Sequence, residues 1–266
     1  MRLISICPSN TELLAFLGAD KMLVGIDDFS DWPASISHLP KLGPDLDIRM
    51  DELEKLEPDL VLASLSVPGM EKNVEELRKR SIPHIILDPQ SLDDIGQDLL
   101  TVGKAAGVDA LSAYSQYKEA ISEIQRRSAG IGKRPSLYWE WWPKPIFTPG
   151  KVNWLSEISE ITGARNIFDD TDSANIQTDW DDIIQRDPDF ILLAWVGIMT
   201  DKVKPELLRK RPGFEGMKAA GNVHVMEEEL YCRPSPRLVE GAIKLGKLLH
   251  PEQFESMEVP SFLKRR

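Results

Sequence analysis

A stretch that occurs twice constrains this chain more than any other feature. Met50 to Leu65 reads MDELEKLEPDLVLASL, and Trp180 to Trp195 reads WDDIIQRDPDFILLAW. With Pro58 laid on Pro188, both run acidic pair, apolar residue, four mixed residues, Pro-Asp and four apolar residues. Each copy predicts a short helix, stopped near Leu56 or Arg186 by the proline that follows, and then a buried strand. Asp51-Glu52 and Asp181-Asp182 put negative charge in the first helical turn, where the macrodipole favours it. The runs Leu60-Val61-Leu62 and Phe190-Ile191-Leu192-Leu193 have no polar interruption, as suits parallel strands covered on both faces. Flanking blocks repeat in the same order. Leu13 to Asp28 echoes Ser156 to Asp170, with Gly18 and Gly163 matched as helix C-caps, and Ile82 to Leu87 echoes Asn222 to Glu227. The chain therefore reads as two similar α/β lobes with mainly parallel sheets.

At 266 residues it has length for about two domains. A net charge of -11 argues against nucleic acid and anionic membrane surfaces, which need clustered positive charge. The basic runs Arg209-Lys210-Arg211 and Lys264-Arg265-Arg266 read as solvated surface. Cys7 and Cys232 fall in different lobes, form no metal-binding spacing and are expected as free thiols. No apolar run reaches the ~18 residues of a membrane span, and Met1-Arg2 leads straight into Leu3 to Ile6 without a signal-peptide core. A cytoplasmic protein is expected as the sequence stands, and an extracytoplasmic one if an export signal was removed.

Along the chain, a strand at Leu3 to Ile6 precedes a helix through Leu17, for which Ser9, Asn10 and Thr11 are cap candidates. Strands follow at Met22 to Ile26 and Ile82 to Leu87, and helices at Glu71 to Arg80 and Leu92 to Ala106. From Asp109 to Arg127 there is no glycine or proline, and Leu111, Tyr114, Ile121 and Ile124 mark an apolar helical face. This helix predicts a rigid strut, dividing the chain into an N-terminal lobe (1–107), a connecting helix (108–130) and a C-terminal lobe (131–266). In the second lobe a strand is expected at Ser136 to Trp142, a turn segment at Pro143 to Gly150, and helices at Asn153 to Thr162 and Ser235 to Leu249. Short helices are expected at Pro205 to Arg211 and Gly213 to Ala220, a strand at Val223 to Met226, and a frayed tail from Pro260.

Together with the repeat and the strut, Pro8-Ser9-Asn10-Thr11-Glu12, DDFSDWP (Asp27 to Pro33), LEKLEPDLVLA, PIFTPGK (Pro145 to Lys151), TGARNIF and Ser235-Pro236-Arg237 carry a family resemblance. The sequence resembles substrate-binding proteins of ABC importers for vitamin B12 and iron-siderophores, the class with one long helix between lobes. Within it, cobalamin binders are the most similar. The resemblance implies a ligand, cobalamin or a ferric siderophore, held in a cleft between lobes without catalysis. It also implies an extracytoplasmic location and a permease partner docked by an acidic residue on each lobe. Those positions are Glu71 on the first lobe and, 130 residues on, Asp201 on the second, with Glu206 as a neighbouring alternative. No cofactor or metal is expected, and the protein is expected to be a monomer.

Ligands of open α/β sheets bind beyond the carboxyl ends of strands. Read with the resemblance, this makes Ser9, Asn10, Trp32, Ser64, Trp139, Trp142, Trp195, Tyr231 and Arg233 candidate ligand-binding residues. Three of seven tryptophans lie in the run WEWW, offering flat apolar surface for a large planar ligand. Trp139 and Trp141 could equally be core, Trp32 loop packing, and Arg233 and Arg237 structural caps; Arg49 reads as solvated. A haem carrier with Tyr138 or Tyr231 as axial ligand is one alternative. An enzyme using Glu140, an acid among indoles, is another from a different class. The usual nucleophile-elbow, dinucleotide, P-loop and zincin motifs are absent, and His38, His84, His224 and His250 do not converge on a metal-ligand pattern.

Overall fold

The computed structural model describes residues 1–264. The chain divides into two compact units. Unit 1 comprises Met1–Lys118, Pro234–Pro236 and the described part of Pro260–Arg266; unit 2 comprises Glu119–Arg233 and Arg237–Val259.

In unit 1, β1 (Leu3–Ser5), β2 (Leu23–Ile26), β3 (Leu60–Ser64) and β4 (His84–Leu87) form a parallel sheet in the order β2-β1-β3-β4. In unit 2, β5 (Ser136–Glu140), β8 (Arg165–Asn166), β10 (Phe190–Leu193) and β11 (Val223–Val225) form a parallel sheet in the order β11-β10-β5-β8. Matching β1 with β5, β2 with β8, β3 with β10 and β4 with β11 makes the two orders identical. The tandem repeat is thus a repeat of topology. Val61, Leu62 and Ala63 in one sheet, and Ile191, Leu192 and Leu193 in the other, are buried along their whole length, which explains the uninterrupted apolar runs. His84 pairs with Val61, whereas His224 pairs with Leu192, one position further along the strand. The two histidines that stand level in the sequence alignment are therefore offset by one residue in the sheets and point to opposite faces.

The helices of the repeat are α2 (Met50–Lys55) and α7 (Trp180–Arg186). Each ends before a non-glycine residue with positive φ, Glu57 at 46° and Asp187 at 42°, directly ahead of the repeat proline. The first unit adds α1 (Pro8–Phe16), α3 (Glu71–Lys79) and α4 (Leu92–Ala106), the last with a reciprocal capping box between Ser91 and Asp94. Helix α5 (Leu111–Ser128) is shared by both units, and its 18 residues extend about 27 Å. Tyr117 donates to the Leu92 carbonyl within unit 1, and Arg127 donates to the Gln253 carbonyl within unit 2. The buried face of α5 runs Tyr117, Ala120, Ile121, Ile124; Leu111, expected on that face, is 66% exposed at the first turn. Unit 2 also contains α6 (Trp154–Ile161), α8 (Glu228–Tyr231), α9 (Leu238–Leu249) and α10 (Pro251–Phe254). At the end of α6, Gly163 has φ +83°, and a Cβ there would lie 2.6 Å from Ile131 Cδ1.

Three local expectations are corrected. Helix α1 begins at Pro8 with Cys7 as an N-cap that lends no side chain, so Ser9, Asn10 and Thr11 lie inside the helix and are buried. The segment after β5 builds a sheet instead of a turn. Here β6 (Trp142–Pro143), β7 (Ile146–Pro149) and β9 (Asn175–Thr178) pair antiparallel in the order β6-β7-β9. The tail from Pro260 is packed through Lys264: Leu263 is buried and the Phe262 ring meets Phe16 at 6.2 Å. Arg265 and Arg266 lie outside the described residues.

Candidate ligand-binding site

In both units the strand order reverses between the first and third strands of the repeat, so crossovers leave in opposite directions, and the carboxyl ends at that point are where open α/β sheets form a ligand crevice. In unit 1 these ends belong to β1 and β3. The chain after β1 turns through Cys7 into α1, and Asn10 donates from Nδ2 to the Ala63 carbonyl at 3.0 Å, fastening the helix to β3. Ser64 and Ser66 pair through their hydroxyls at 2.8 Å. Cys7 Sγ lies 3.2 Å from Ser9 Oγ, and burial pushes its pKa up to about 12, so the group is a thiol.

Behind these residues runs a chain of hydroxyls. Ser5 Oγ donates to the Cys7 carbonyl at 3.0 Å, Thr11 Oγ1 donates to Ser5 Oγ at 2.8 Å, and Ser30 Oγ lies 2.7 Å from Thr11 Oγ1. The chain ends on Asp27, whose carboxylate also accepts from the backbone N–H groups of Phe29 and Ser30 at 2.8 and 3.0 Å. Burial raises the Asp27 pKa to about 6. Lys41 Nζ donates to the Ser30 and Asp27 carbonyls, closing the loop from its other side. This loop carries Trp32, whose ring packs on Phe16 at 5.1 Å.

In unit 2 the crevice lies beyond β5 and β10. The last residue of β5, Glu140, is fully buried and its carboxylate is enclosed by four donors. Arg211 contributes two, from Nη1 at 2.5 Å and Nη2 at 3.0 Å; Tyr138 Oη is 2.9 Å away and Trp195 Nε1 3.2 Å. The Arg211 guanidinium lies over the Trp180 ring at 4.7 Å, and Trp180 Nε1 is anchored on the Pro212 carbonyl. Deeper in the unit, Trp139 Nε1 donates to Ser159 Oγ, the Trp139 ring meets Tyr231 at 5.5 Å, and Tyr231 Oη donates to the Gly241 carbonyl. Desolvation pushes both the Tyr138 and the Tyr231 phenols well above the usual range. Of the indoles in WEWW, Trp142 alone is open to solvent, at 40% exposure, with Nε1 held by the Lys144 carbonyl. No group of residues suited to a metal ion occurs among the described residues, and no described helix is long and apolar enough to cross a membrane.

Over residues 3–228 the sequence matches the periplasmic binding protein family. The chain belongs to that family. It is 28% identical over 263 residues to an uncharacterized ABC transporter substrate-binding lipoprotein of Bacillus subtilis (strain 168), covering 96% of this chain and 81% of the relative. It is 26% identical over 247 residues to a vitamin B12-binding protein of Pectobacterium atrosepticum, covering 91% and 85%. A periplasmic heme binding protein of Pseudomonas aeruginosa has the same fold, with a TM-score of 0.80 at 20% identity and coverage of 98% and 95%. With two α/β lobes of matching topology and one helix shared by both, this binding protein is of the long-helix class of ABC importer substrate-binding proteins.

The candidate residues of the binding protein fall into distinct surroundings. Trp142 and the half-buried Trp195 stand at the carboxyl edge of the second sheet, and Trp32 is partly exposed on its loop. Ser9, Asn10 and Ser64 are buried and hydrogen-bonded within unit 1. For Trp139 the core alternative holds, and Tyr231 is a core residue beside it; neither it nor Tyr138 reaches the surface as an axial ligand must. Arg233 is buried and paired with Glu228 at 2.9 Å. Arg49 is exposed and paired with Glu52. Glu71 sits at the start of α3, exposed, and accepts from the Gly69 N–H at 2.7 Å; Asp201 and Glu206 are exposed on two short helical turns of unit 2.

Two residues at this crevice read differently in sequence and in structure. Glu140 is neither solvent-facing nor a free acid, because its carboxylate is enclosed and ion-paired. Arg211, read as part of a solvated basic run, is its partner, while Arg209 and Lys210 beside it are exposed as expected. The signal was faint: Pro212 and Gly213 end the preceding helical turn and fold Arg211 inward, away from its two neighbours.

Proposed function

We propose that this protein is a non-enzymatic solute-binding protein that captures a corrinoid and hands it to an ABC permease outside the cytoplasm. The observation carrying this reading is the pair of indoles at the carboxyl edge of β5 and β10. Trp195 is fixed by its hydrogen bond to Glu140, and Trp142 by its bond to Lys144, so each offers a ring face with its N–H already occupied. Such faces suit a wide macrocycle held by apolar contact. The similarity to a vitamin B12-binding protein supports the corrinoid over other planar ligands. The haem alternative is weakened because Tyr138 and Tyr231 are enclosed, and the enzyme alternative because Glu140 is ion-paired. A ferric siderophore remains the competing cargo. Glu71 on one unit, and Asp201 or Glu206 on the other, are the proposed contacts to cationic residues of the permease.

The test is a titration of intrinsic tryptophan fluorescence with cyanocobalamin, beside ferric siderophores and haemin. Saturable quenching by cyanocobalamin is expected, with affinity falling about tenfold or more in Trp142→Ala and Trp195→Ala, as expected when a buried aromatic contact is truncated. A response to a siderophore alone changes the cargo. Unchanged affinity in both variants removes the two indoles from the site.

A further inference from the structure

Resting on the reading of the second-unit crevice as a ligand site, we infer that the Glu140–Arg211 pair is a specificity determinant: it selects ligands whose rim is neutral and rich in carbonyl acceptors, and rejects anionic ones. Arg211 is 17% exposed at the carboxyl end of β5, and Trp195 is bonded to the same carboxylate, so a ligand on Trp195 lies beside the guanidinium. An arginine at such a place is ordinarily an anion receptor, because its fork matches carboxylate and phosphate geometry. Here the receptor is already filled from within the protein. Both Glu140 oxygens face the guanidinium, and Tyr138 and Trp195 complete the carboxylate's shell, so Glu140 cannot swing aside to release Arg211. Trp180 covers one face of the guanidinium and is itself anchored.

The pair carries no net charge, yet only two of the five guanidinium N–H donors of Arg211 are spent on Glu140. The remaining donors suit amide carbonyls, which need a hydrogen bond and no counter-charge. A ligand carboxylate at the same point gains nothing from a cancelled cation, and it adds a third charge to a partly desolvated pair. The periphery of a corrinoid is lined with carboxamides. Haem presents two carboxylates, and ferric catecholates carry net negative charge.

The experiment compares cyanocobalamin with its monocarboxylic acid, in which one peripheral amide is hydrolysed, by calorimetry at pH 7.5. The wild-type protein is expected to prefer the amide. Glu140→Gln keeps the shape but uncovers the Arg211 charge, and the acid is expected to gain about tenfold relative to the amide, the difference between a neutral and a charge-assisted hydrogen bond. A folded Glu140→Gln protein with an unchanged ratio overturns the inference, as does a wild-type protein that prefers the acid. If Glu140→Gln does not fold, the double variant E140Q/R211Q replaces one neutral pair by another. A ratio within about twofold of wild type, roughly 0.4 kcal/mol, supports the inference, and a larger loss of acid binding overturns it. Absence of cyanocobalamin binding by the wild-type protein defeats the corrinoid reading instead. The comparison of haemin with its dimethyl ester then applies the same test to the pair.

Discussion

Asp27 is a buried carboxylate held by three donors, and desolvation outweighs them, leaving its pKa near 6. The folded state therefore binds this proton more tightly than the unfolded chain, whose aspartates titrate near 3.8. Stability contributed by protonating Asp27 is complete below about pH 4 and is lost as pH rises through 6, an effect of about 3 kcal/mol for a shift of about two pKa units. Asp27→Asn cannot take part. Urea unfolding at pH 4.5 and 7.5 is expected to show the wild-type protein gaining relative to the variant as pH falls; parallel behaviour would assign the pH dependence elsewhere. Asp98 acts in the same direction, its pKa raised to about 7, and cancels in the comparison. At this scale the sequence was only partly legible. Ser9, Asn10 and Ser64 stand at the strand ends where a ligand site was expected, yet their polar groups are bonded within unit 1. Residue type and position do not reveal which way a hydroxyl or amide turns once α1 starts at Pro8, ahead of the expected caps. The Glu140–Arg211 contact joins residues 71 positions apart, and no local pattern announces it. Removing one side of that buried pair leaves an unmatched charge, so Arg211→Met is expected to lower unfolding free energy by about 3 kcal/mol, readable in the same denaturation experiment.

The repeat helices show what was legible at the scale of elements. Acidic first turns, Pro-Asp stops and unbroken apolar runs are local signals backed by burial, and α2–β3 and α7–β10 form where they predict. The small sheet β6-β7-β9 was missed because its strands are short and β7 and β9 are separated by the 25 residues between Pro149 and Asn175, with proline inside the pairing segments. Equivalent elements also share an unfavourable turn. Glu57 and Asp187 both adopt left-handed backbone, which costs an L-residue about 1–2 kcal/mol. Asp187 has compensation, since its carboxylate accepts from the Lys218 backbone N–H and pairs with the Lys218 ammonium. For Glu57→Gly the relief of strain exceeds the entropy glycine adds to the unfolded chain, and a gain of about 0.5 kcal/mol is expected. Asp187→Gly loses the Lys218 contacts as well and is expected to destabilise. Thermal midpoints of the two variants moving in the same direction would remove this account.

For the whole molecule, the net charge of -11 and the exposed acids Glu71, Asp201 and Glu206 favour a partner surface of opposite sign. Charge reversal at Glu71 is expected to impair transport through the permease while ligand affinity stays within about twofold, because long-range charge acts mainly on association between proteins. Normal uptake by Glu71→Lys would exclude that acid from docking. Fold class was the most legible property of this chain, because a repeated α/β unit states its topology twice. The membership of each unit was less so, since unit 1 recruits Pro234–Pro236 and the segment from Pro260. Buried Glu12 accepts a hydrogen bond from Ser235, and Phe262 and Leu263 pack into the same unit, on Phe16 in the case of Phe262. During synthesis on the ribosome, the lobe that emerges first is thus the last to be completed. The 115 residues of Glu119–Arg233 are therefore translated between the first part of unit 1 and the segments that complete it.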